Sequence, residues 1–259
     1  MSAKDSLAQL EKEFFETGYA VAPRFFDDRE ISEMRDAFDR LHAQALKLGL
    51  TQTWRGSFFV LGRRGENVNV HRIVWCAGAD ERLERVGRHP RLLALAGRLL
   101  GSKEMDQLIS QAHYKMPGDG VSFDWHQDVQ HREKRPGDWV DVNGRGAYVQ
   151  TLLCLDDMTA ENGPLLVVPG SAKRGRVQSG AFNYGEGMRG QSPDSHVAVT
   201  ARAGDLILLH PYTLHGSRPN ESRHARRLFV NGYSAPGANH RLYPGLGSGR
   251  RLRATEETP

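Results

Sequence analysis

The sequence predicts a mainly β protein with helices at its N-terminal end, an α+β arrangement. Two observations predict this class: apolar residues recur at helical spacing over roughly the first hundred residues, and short apolar runs separated by Pro-Gly, Asn-Gly and Gly-Asp turns follow from Met105. Such runs are typical of a β-sandwich or barrel, and 259 residues is a usual length for one β domain. We expect a single domain over 1–259, with a mostly helical scaffold in 1–104, a β core in 105–235 and a loosely ordered tail in 236–259.

The N-terminal region predicts three helices and a strand. The predicted helices are Ser6–Thr17, Glu30–Leu48 and Glu81–Leu100, and the strand is Tyr19–Phe26. Gly18 ends the first helix, and Asp27 or Asp28 caps the second. Pro90 divides the third helix before Gly101 ends it.

The polar, Gly-punctuated stretch 51–69 predicts a loop or a ragged hairpin, followed by a short strand at Val70–Trp75. This stretch, which carries Trp54, Arg55, Phe58 and Phe59, is either a cover for an active site or an ordinary irregular surface. The strands expected after it are Gln107–Lys115, Ala147–Leu155, Leu165–Val168, His196–Thr200, Asp205–His210 and Arg227–Tyr233.

Composition points away from several classes of protein. The 35 Lys and Arg are dispersed among 31 Asp and Glu, and the formal net charge of +4 comes without a long basic run, so we expect no nucleic-acid partner. Two cysteines in apolar surroundings are typical of a reducing compartment. The sequence has neither a signal peptide at its N-terminus nor an apolar run of membrane-spanning length, so we expect a cytoplasmic protein, monomeric or homodimeric, without membrane contact.

The stretch F-D-W-H-Q-D-V-Q places His126 and Asp128 two residues apart, which in a strand directs both side chains to one face. An imidazole and a carboxylate side by side can hold a divalent metal. His215 is the preferred third ligand over His210, which continues an apolar strand and suits a core position. Together the three residues form a facial triad that leaves open positions on iron.

A His-x-Asp pair alone is a weak signal, because such triplets occur often by chance. The downstream arrangement strengthens it: His215-Gly216-Ser217 follows an apolar strand, and Arg226 then returns on the next strand. The planar fork of Arg226 suits a dicarboxylate.

Several separated motifs resemble one family. They are W-H-Q-D, E-N-G-P-L-L-V-V-P-G-S (Glu161 to Ser171), L-H-G-S with the following Arg, and the opening F-F-E-T-G-Y-A-V. In this order they resemble the phytanoyl-CoA dioxygenase family, which includes ectoine hydroxylases. The resemblance implies a double-stranded β-helix (a cupin-like jelly roll) flanked by helices, and mononuclear non-haem Fe(II) with 2-oxoglutarate and O2 as cosubstrates. It further implies hydroxylation of an unactivated C–H bond with release of succinate and CO2.

The resemblance also implies roles for individual residues. His126, Asp128 and His215 match the iron ligands, and Arg226 matches the arginine that binds the distal carboxylate of 2-oxoglutarate. Further positions that contact the cosubstrate in some relatives are Lys115, Thr151 and Ser217, although each also fits a purely structural role: solvated, packed and turn-capping respectively. A carboxylate at Asp128 favours hydroxylation, since related halogenases vacate that position for chloride.

The sequence gives the least information about the substrate. The loop from Gln130 to Arg145 mixes basic, polar and aromatic residues, which indicates either a grip on a small polar or anionic metabolite or merely a solvated loop. Other functions remain open: a catalytically silent metal- or metabolite-binding jelly-roll module, a zinc hydrolase, a nucleic-acid demethylase, or a hydroxylase acting on an acyl-CoA or a natural-product intermediate.

Overall fold

The computed structural model describes residues 3–176 and 195–255. Its helices are α1 (Ala3–Thr17), α2 (Asp28–Leu48), α3 (Glu81–Val86), α4 (Pro90–Leu100) and α5 (Asp128–Arg132). Its strands are β1 (Tyr19–Ala22), β2 (Gln52–Trp54), β3 (Ser57–Arg64), β4 (Asn67–Val74), β5 (Glu104–Lys115), β6 (Phe123–His126), β7 (Tyr148–Cys154), β8 (Leu165–Val167), β9 (Val197–Val199), β10 (Leu206–Leu209), β11 (His215–Ser217), β12 (Arg226–Ser234) and β13 (Arg250–Arg253).

The helix boundaries follow local chemistry that the sequence displays. Asp27 and Glu30 form a reciprocal capping box at the start of α2, satisfying two backbone donors. Pro90 occupies the first turn of α4, where its missing N–H costs nothing, so the predicted division of the third helix is confirmed. Gly101 ends α4 in the left-handed conformation, with φ 67°.

Two antiparallel sheets form the β region. The larger has the order β1-β10-β7-β12-β5-β4-β3-β2, with β13 added on β5, and the smaller has the order β6-β11-β8-β9. Apolar residues of both sheets meet in one core, including Leu152, Leu165 and Val230. This is the jelly-roll architecture that the resemblance implies.

The helices cover the other face of the large sheet. Phe229 on β12 packs in the same cluster as Phe14 of α1 and Phe38 of α2, whereas its neighbours Leu228 and Val230 lie in the core between the sheets. Because side chains alternate along a strand, one strand serves both layers. The large sheet therefore separates a structural core under the helices from an interior between the sheets.

Of the two alternatives for the stretch 51–69, the hairpin is observed and the loop is not: β2, β3 and the start of β4 pair antiparallel, with a shift in register between Val60 and Leu61. The helices α1 to α4 cover about half of residues 1–104, and β1 to β4 join the large sheet, β1 by pairing with β10 from a distant part of the chain. One expectation is corrected, that of a loosely ordered tail. The tail is ordered at β13, where Arg251 pairs with Asp106 and Arg250 with Glu84, and Leu252 packs into the core under the helices. A single apolar residue among three arginines gives the strand no apolar pattern.

The strand expected at Tyr19–Phe26 is shorter and ends at Ala22. The last four residues, 256–259, lie outside the described ranges. Among the described helices, none combines the length and apolarity needed to cross a membrane.

Candidate active site

A cavity of about 300 Å³ lies between the two sheets. Strands β3, β4, β5, β7 and β12 of the large sheet contribute one wall, and β6, β8 and β11 of the small sheet contribute another. β6 and β11 are antiparallel neighbours whose register places His126 directly opposite His215. Two residues far apart in the sequence are thereby fixed side by side.

Asp128 completes a cluster with the two histidines. Its Oδ1 atom lies 4.0 Å from Nε2 of His126 and 3.9 Å from Nε2 of His215. One potential ligand atom from each residue lies within 4.8 Å of the others. Among the described residues this is the one group of three or more His, Cys, Asp and Glu side chains with metal-ligand spacing.

Backbone carbonyls orient both imidazoles. Nδ1 of His126 lies 2.7 Å from the Asp124 carbonyl oxygen, and Nδ1 of His215 lies 2.9 Å from the Thr213 carbonyl oxygen. A ring that donates through Nδ1 presents its Nε2 lone pair to the cavity. Burial, with smaller contributions from His215 and His131, holds the pKa of His126 well below its ordinary value, so its ring is neutral as metal binding requires.

Asp128 is not on a strand, which corrects the geometric reasoning behind the His-x-Asp pair. β6 ends at His126, Gln127 is extended, and Asp128 begins the short helix α5. The Gln127 amide anchors this corner by donating to the carbonyl oxygens of Tyr212 at 2.6 Å and Gly175 at 3.0 Å. The carboxylate still reaches the histidines because the chain turns between the two elements.

The cluster fits a divalent metal. Asp128 is 3% exposed, and its Oδ2 atom is buried without a hydrogen-bond partner among the described residues. A buried carboxylate oxygen without a partner is costly, and a metal would remove that cost. Two imidazoles and one carboxylate are the ligand set of mononuclear non-haem iron. His210, the competing ligand, lies outside the cluster and packs against Phe14 in the helical layer, with ring centroids 5.3 Å apart.

Arg226 and Ser217 line the cavity, whereas Lys115 is not part of the lining and contacts Ser217. Arg226 pairs with Lys115 in register across β12 and β5. Arg226 is 2% exposed; its Nη2 donates to the Gly163 carbonyl at 2.7 Å, and its Nε has no partner among the described residues. Lys115 donates to Ser217 Oγ at 2.7 Å and to the Arg218 carbonyl. The structure thus brings Arg226, Lys115 and Ser217 together.

Thr151 is not part of this group. Its neighbours Gln150 and Leu152 line the cavity, and alternation along β7 turns Thr151 to the opposite face, where its hydroxyl donates to the Asn231 carbonyl at 3.2 Å. Thr151 therefore lies outside the cavity lining, which favours its packed, structural role; a contact with the cosubstrate stays a prediction.

The loop from Gln130 to Arg145 divides into two parts. His131, Arg132 and Lys134 line the cavity. In contrast, Trp139 is buried in the core between the sheets, and Asp141 accepts from the Gly146 N–H at 2.8 Å. Only the first part of the loop faces the site.

Sequence reasoning missed other residues of the cavity wall. These are Val60, Arg72, Val74, Ile109, Gln111, His113, Gln150, Leu152, Leu165, Leu228, Val230, Arg241, Tyr243 and Pro244. The alternation of Gln111, His113 and Lys115 along one strand was a signal available for part of this set. Arg241 and Tyr243 belong to the tail, which carried no signal.

A jelly roll with two histidines and one carboxylate beside a buried arginine is the arrangement of iron- and 2-oxoglutarate-dependent oxygenases. Residues 14–228 match the family model described as phytanoyl-CoA dioxygenase (PhyH), so the chain belongs to this family. It is an Fe(II)- and 2-oxoglutarate-dependent dioxygenase that uses 2-oxoglutarate and O2 as cosubstrates.

Two relatives are distant in sequence but match over most of their length. The chain is 26% identical to L-proline trans-4-hydroxylase of Streptomyces griseoviridis, over 90% of this chain and 88% of that protein. It is 25% identical to a probable alpha-ketoglutarate-dependent hypophosphite dioxygenase of Stutzerimonas stutzeri, over 93% and 82%. The crystal structure of the non-heme alpha ketoglutarate dependent epimerase SnoN from nogalamycin biosynthesis shares the fold, with a TM-score of 0.69, 19% identity and 98% of both chains covered.

Proposed function

We propose that this dioxygenase hydroxylates an unactivated C–H bond of a small polar or anionic metabolite. His126, Asp128 and His215 hold the iron, and Arg226 binds the distal carboxylate of 2-oxoglutarate, assisted by Lys115 and Ser217. The observation that carries this proposal is the His-Asp-His cluster, which faces a cavity of about 300 Å³ together with Arg226.

The protein's own residues prepare the site for this chemistry. The Asp124 and Thr213 carbonyls fix the two imidazole tautomers, and Gln127 holds the turn that carries Asp128. When bound, the iron supplies the O2 activation that couples decarboxylation of 2-oxoglutarate to hydroxylation. Apolar walls from Leu152, Leu165 and Val230 exclude water from the reacting groups.

Three observations support a small substrate. The cavity is modest and has to hold the cosubstrate as well. Its wall carries several cationic side chains, which favour a polar or anionic ligand. The names of two relatives point the same way, since one acts on L-proline and the other is a probable hypophosphite dioxygenase. A silent binding module is disfavoured because neither the cluster nor the arginine is damaged.

Anaerobic titration of the purified protein with Fe(II) and 2-oxoglutarate tests the metal assignment. We expect a weak visible charge-transfer band in the wild type and its loss in His126→Ala. The matched control is His224→Ala, which removes an exposed histidine outside the cavity and leaves the band unchanged.

A wild-type protein that forms no band but hydrolyses esters or amides with Zn(II) would refute the proposal in favour of the hydrolase. A band that persists in His126→Ala would refute the ligand assignment. Screening a metabolite panel for substrate-stimulated succinate release then identifies the substrate.

We further propose a cytoplasmic enzyme, monomeric or homodimeric, that does not bind nucleic acid. Two free cysteines, both buried, and the interleaved surface charge support this setting. Size-exclusion chromatography with light scattering distinguishes monomer from dimer.

A further inference from the structure

Arg72 lies in the cavity wall, away from the His-Asp-His cluster in sequence and on the opposite sheet. It is on β4, where its cross-strand partners are Val60 and His113, and all three side chains line the cavity. Arg72 therefore projects inward from the large sheet, towards the space that faces the metal ligands.

Arg72 has no anionic partner in the described part of the chain. Among residues 3–176 and 195–255, no carboxylate lies within ion-pair distance of Arg72, and its guanidinium makes no hydrogen bond. The side chain is half-buried, and burial lowers its pKa. A guanidinium that loses hydration without gaining a partner is destabilising, so a ligand is the partner that would offset this cost.

The position of Arg72 differs from that of the cosubstrate anchor. Arg226 is on β12 and Arg72 on β4, which are separated by β5, and the Lys115–Arg226 pair lies two residues along from the His113–Arg72 pair. Strand spacing and rise place the two Cα atoms roughly 12 Å apart. His113 lies between them, and after burial, the charges of Arg72 and Arg226 are the leading causes that lower its pKa. The cavity thus has two separate cationic positions, one at Arg226 and one at Arg72.

A count of the charged groups in the cavity shows that the position at Arg72 has no anion to bind. Five Arg or Lys side chains line the cavity, against Asp128 as the single carboxylate in that lining. 2-Oxoglutarate brings two carboxylates, of which one goes to the metal and the other to Arg226. Arg132 is held between Tyr148 and Tyr243, 5.1 and 5.0 Å from their ring centroids, so its role is to pack the wall. Of the other two, Arg241 pairs with Asp138 at 3.5 Å and Lys134 is exposed to solvent. Arg72 has no such aromatic contact among the described residues.

We propose that the substrate carries an oxyanion group, a carboxylate or a tetrahedral phosphonate- or sulfonate-type group, that binds the Arg72 guanidinium. Arg72 is then a specificity-determining residue, and the apolar neighbours Phe58, Val60 and Val74 receive the carbon skeleton of the substrate. This inference rests on the proposed function, because it names the chemical class of substrate for the same site.

The test uses iron-loaded enzyme, 2-oxoglutarate and a panel of small carboxylic, phosphonic and sulfonic acids, each paired with the neutral amide or ester of the same skeleton. Succinate release above the substrate-free rate is measured. We expect stimulation by anionic members and not by their neutral counterparts. In Arg72→Gln, kcat/KM for a stimulating acid falls roughly 10- to 100-fold, mainly through KM, as for loss of a charge-assisted hydrogen bond. Arg72→Lys retains part of the effect.

Arg63→Gln is the matched control, since it removes an exposed guanidinium from the adjacent strand β3, outside the cavity lining. Equal stimulation by acids and their neutral counterparts overturns the inference, as does a panel in which no acid stimulates, or an Arg72→Gln enzyme that keeps its preference for the acid. The comparison of acids with their neutral counterparts on the wild-type enzyme tests the inference even if Arg72→Gln folds poorly. The charge-transfer band separates the two claims: its absence in the wild type refutes the proposed function, whereas its presence with unchanged selectivity refutes only the role of Arg72.

Discussion

Lys115 shows how a single side chain links the site to stability. It is fully buried beside Arg226, and its Nζ lies 5.8 Å from the centroid of the Phe123 ring. Burial and, to a smaller extent, the charge of Arg226 lower its pKa to about 6, against a partial opposing effect of Asp119. Without a bound carboxylate, the folded protein at neutral pH therefore carries this lysine largely neutral.

This shift predicts a pH dependence of stability. Between the folded pKa of about 6 and the ordinary value of 10.5, the unfolded chain binds a proton that the folded chain does not. The free energy of unfolding should therefore rise with pH across this window, by at most about 1.4 kcal/mol per pH unit from this group. In Lys115→Met this contribution disappears. Urea unfolding of metal-free protein at several pH values measures it.

Lys12→Met is the control, because it removes an exposed lysine from α1 and keeps the wild-type slope. If the free energy of unfolding depends on pH in the same way in Lys115→Met and in the wild type, Lys115 is charged in the folded state and the assignment of a lowered pKa is refuted.

At the scale of elements, the segment between β12 and β13 closes one side of the cavity. Arg241, Tyr243 and Pro244 of this segment line the site, although the family model matches only residues 14–228. Gly245 allows the close approach: its φ is +120°, and a Cβ at this position would lie 2.1 Å from Cβ of Trp75. The segment is thus held against the large sheet at a point that only glycine fits.

Gly245→Ala should therefore destabilise the protein strongly. Two costs add: the left-handed backbone, roughly 1–2 kcal/mol, and the steric contact with Trp75, which brings the total to roughly 3 kcal/mol or more. Gly249→Ala is the matched control, since Gly249 also has a positive φ, +80°, but nothing within 4 Å of its Cβ position. Thermal or urea unfolding measures both variants. Equal losses would contradict the close packing on Trp75.

The elements that the sequence predicts best are those marked by local chemistry. Pro90 and Gly101 bound α4, and Asp27 caps α2, because each residue type acts on its own backbone. β13 escaped prediction because its ion-pair partners, Asp106 and Glu84, are more than a hundred residues away, and its one buried apolar residue, Leu252, makes no pattern.

In the site too, residues marked by a motif could be predicted, and residues placed by strand pairing could not. The pairing of His126 with His215 could be predicted because the family motifs name both residues. The face of Thr151 could not, since every residue of β7 is buried and a strand buried on both faces has no polar alternation. Arg72 carried no motif, and its place depends on the pairing of β4 with β5.

At the scale of the whole molecule, the jelly roll concentrates positive charge around the cavity, where anionic ligands bind. The formal net charge is only +4, yet five cationic side chains line one cavity of about 300 Å³. Low-dielectric walls focus such a field and attract anions from solution. The enzyme should therefore bind 2-oxoglutarate, a dianion, with an affinity and rate that depend on ionic strength.

We expect kcat/KM for 2-oxoglutarate to fall several-fold as ionic strength rises from about 0.01 M to about 0.15 M, because the screening length falls from roughly 30 Å to roughly 8 Å. Lys134→Gln, at the cavity, should reduce this dependence, since Lys134 lies near Arg241 and Arg132, whose charges add to burial in lowering its pKa. Arg63→Gln changes the net charge equally from outside the cavity and should keep the wild-type dependence. Initial rates of succinate formation at each ionic strength provide the measurement. If the two variants show the same salt dependence, the attraction comes from net charge, and the arrangement of cations around the cavity is not its cause.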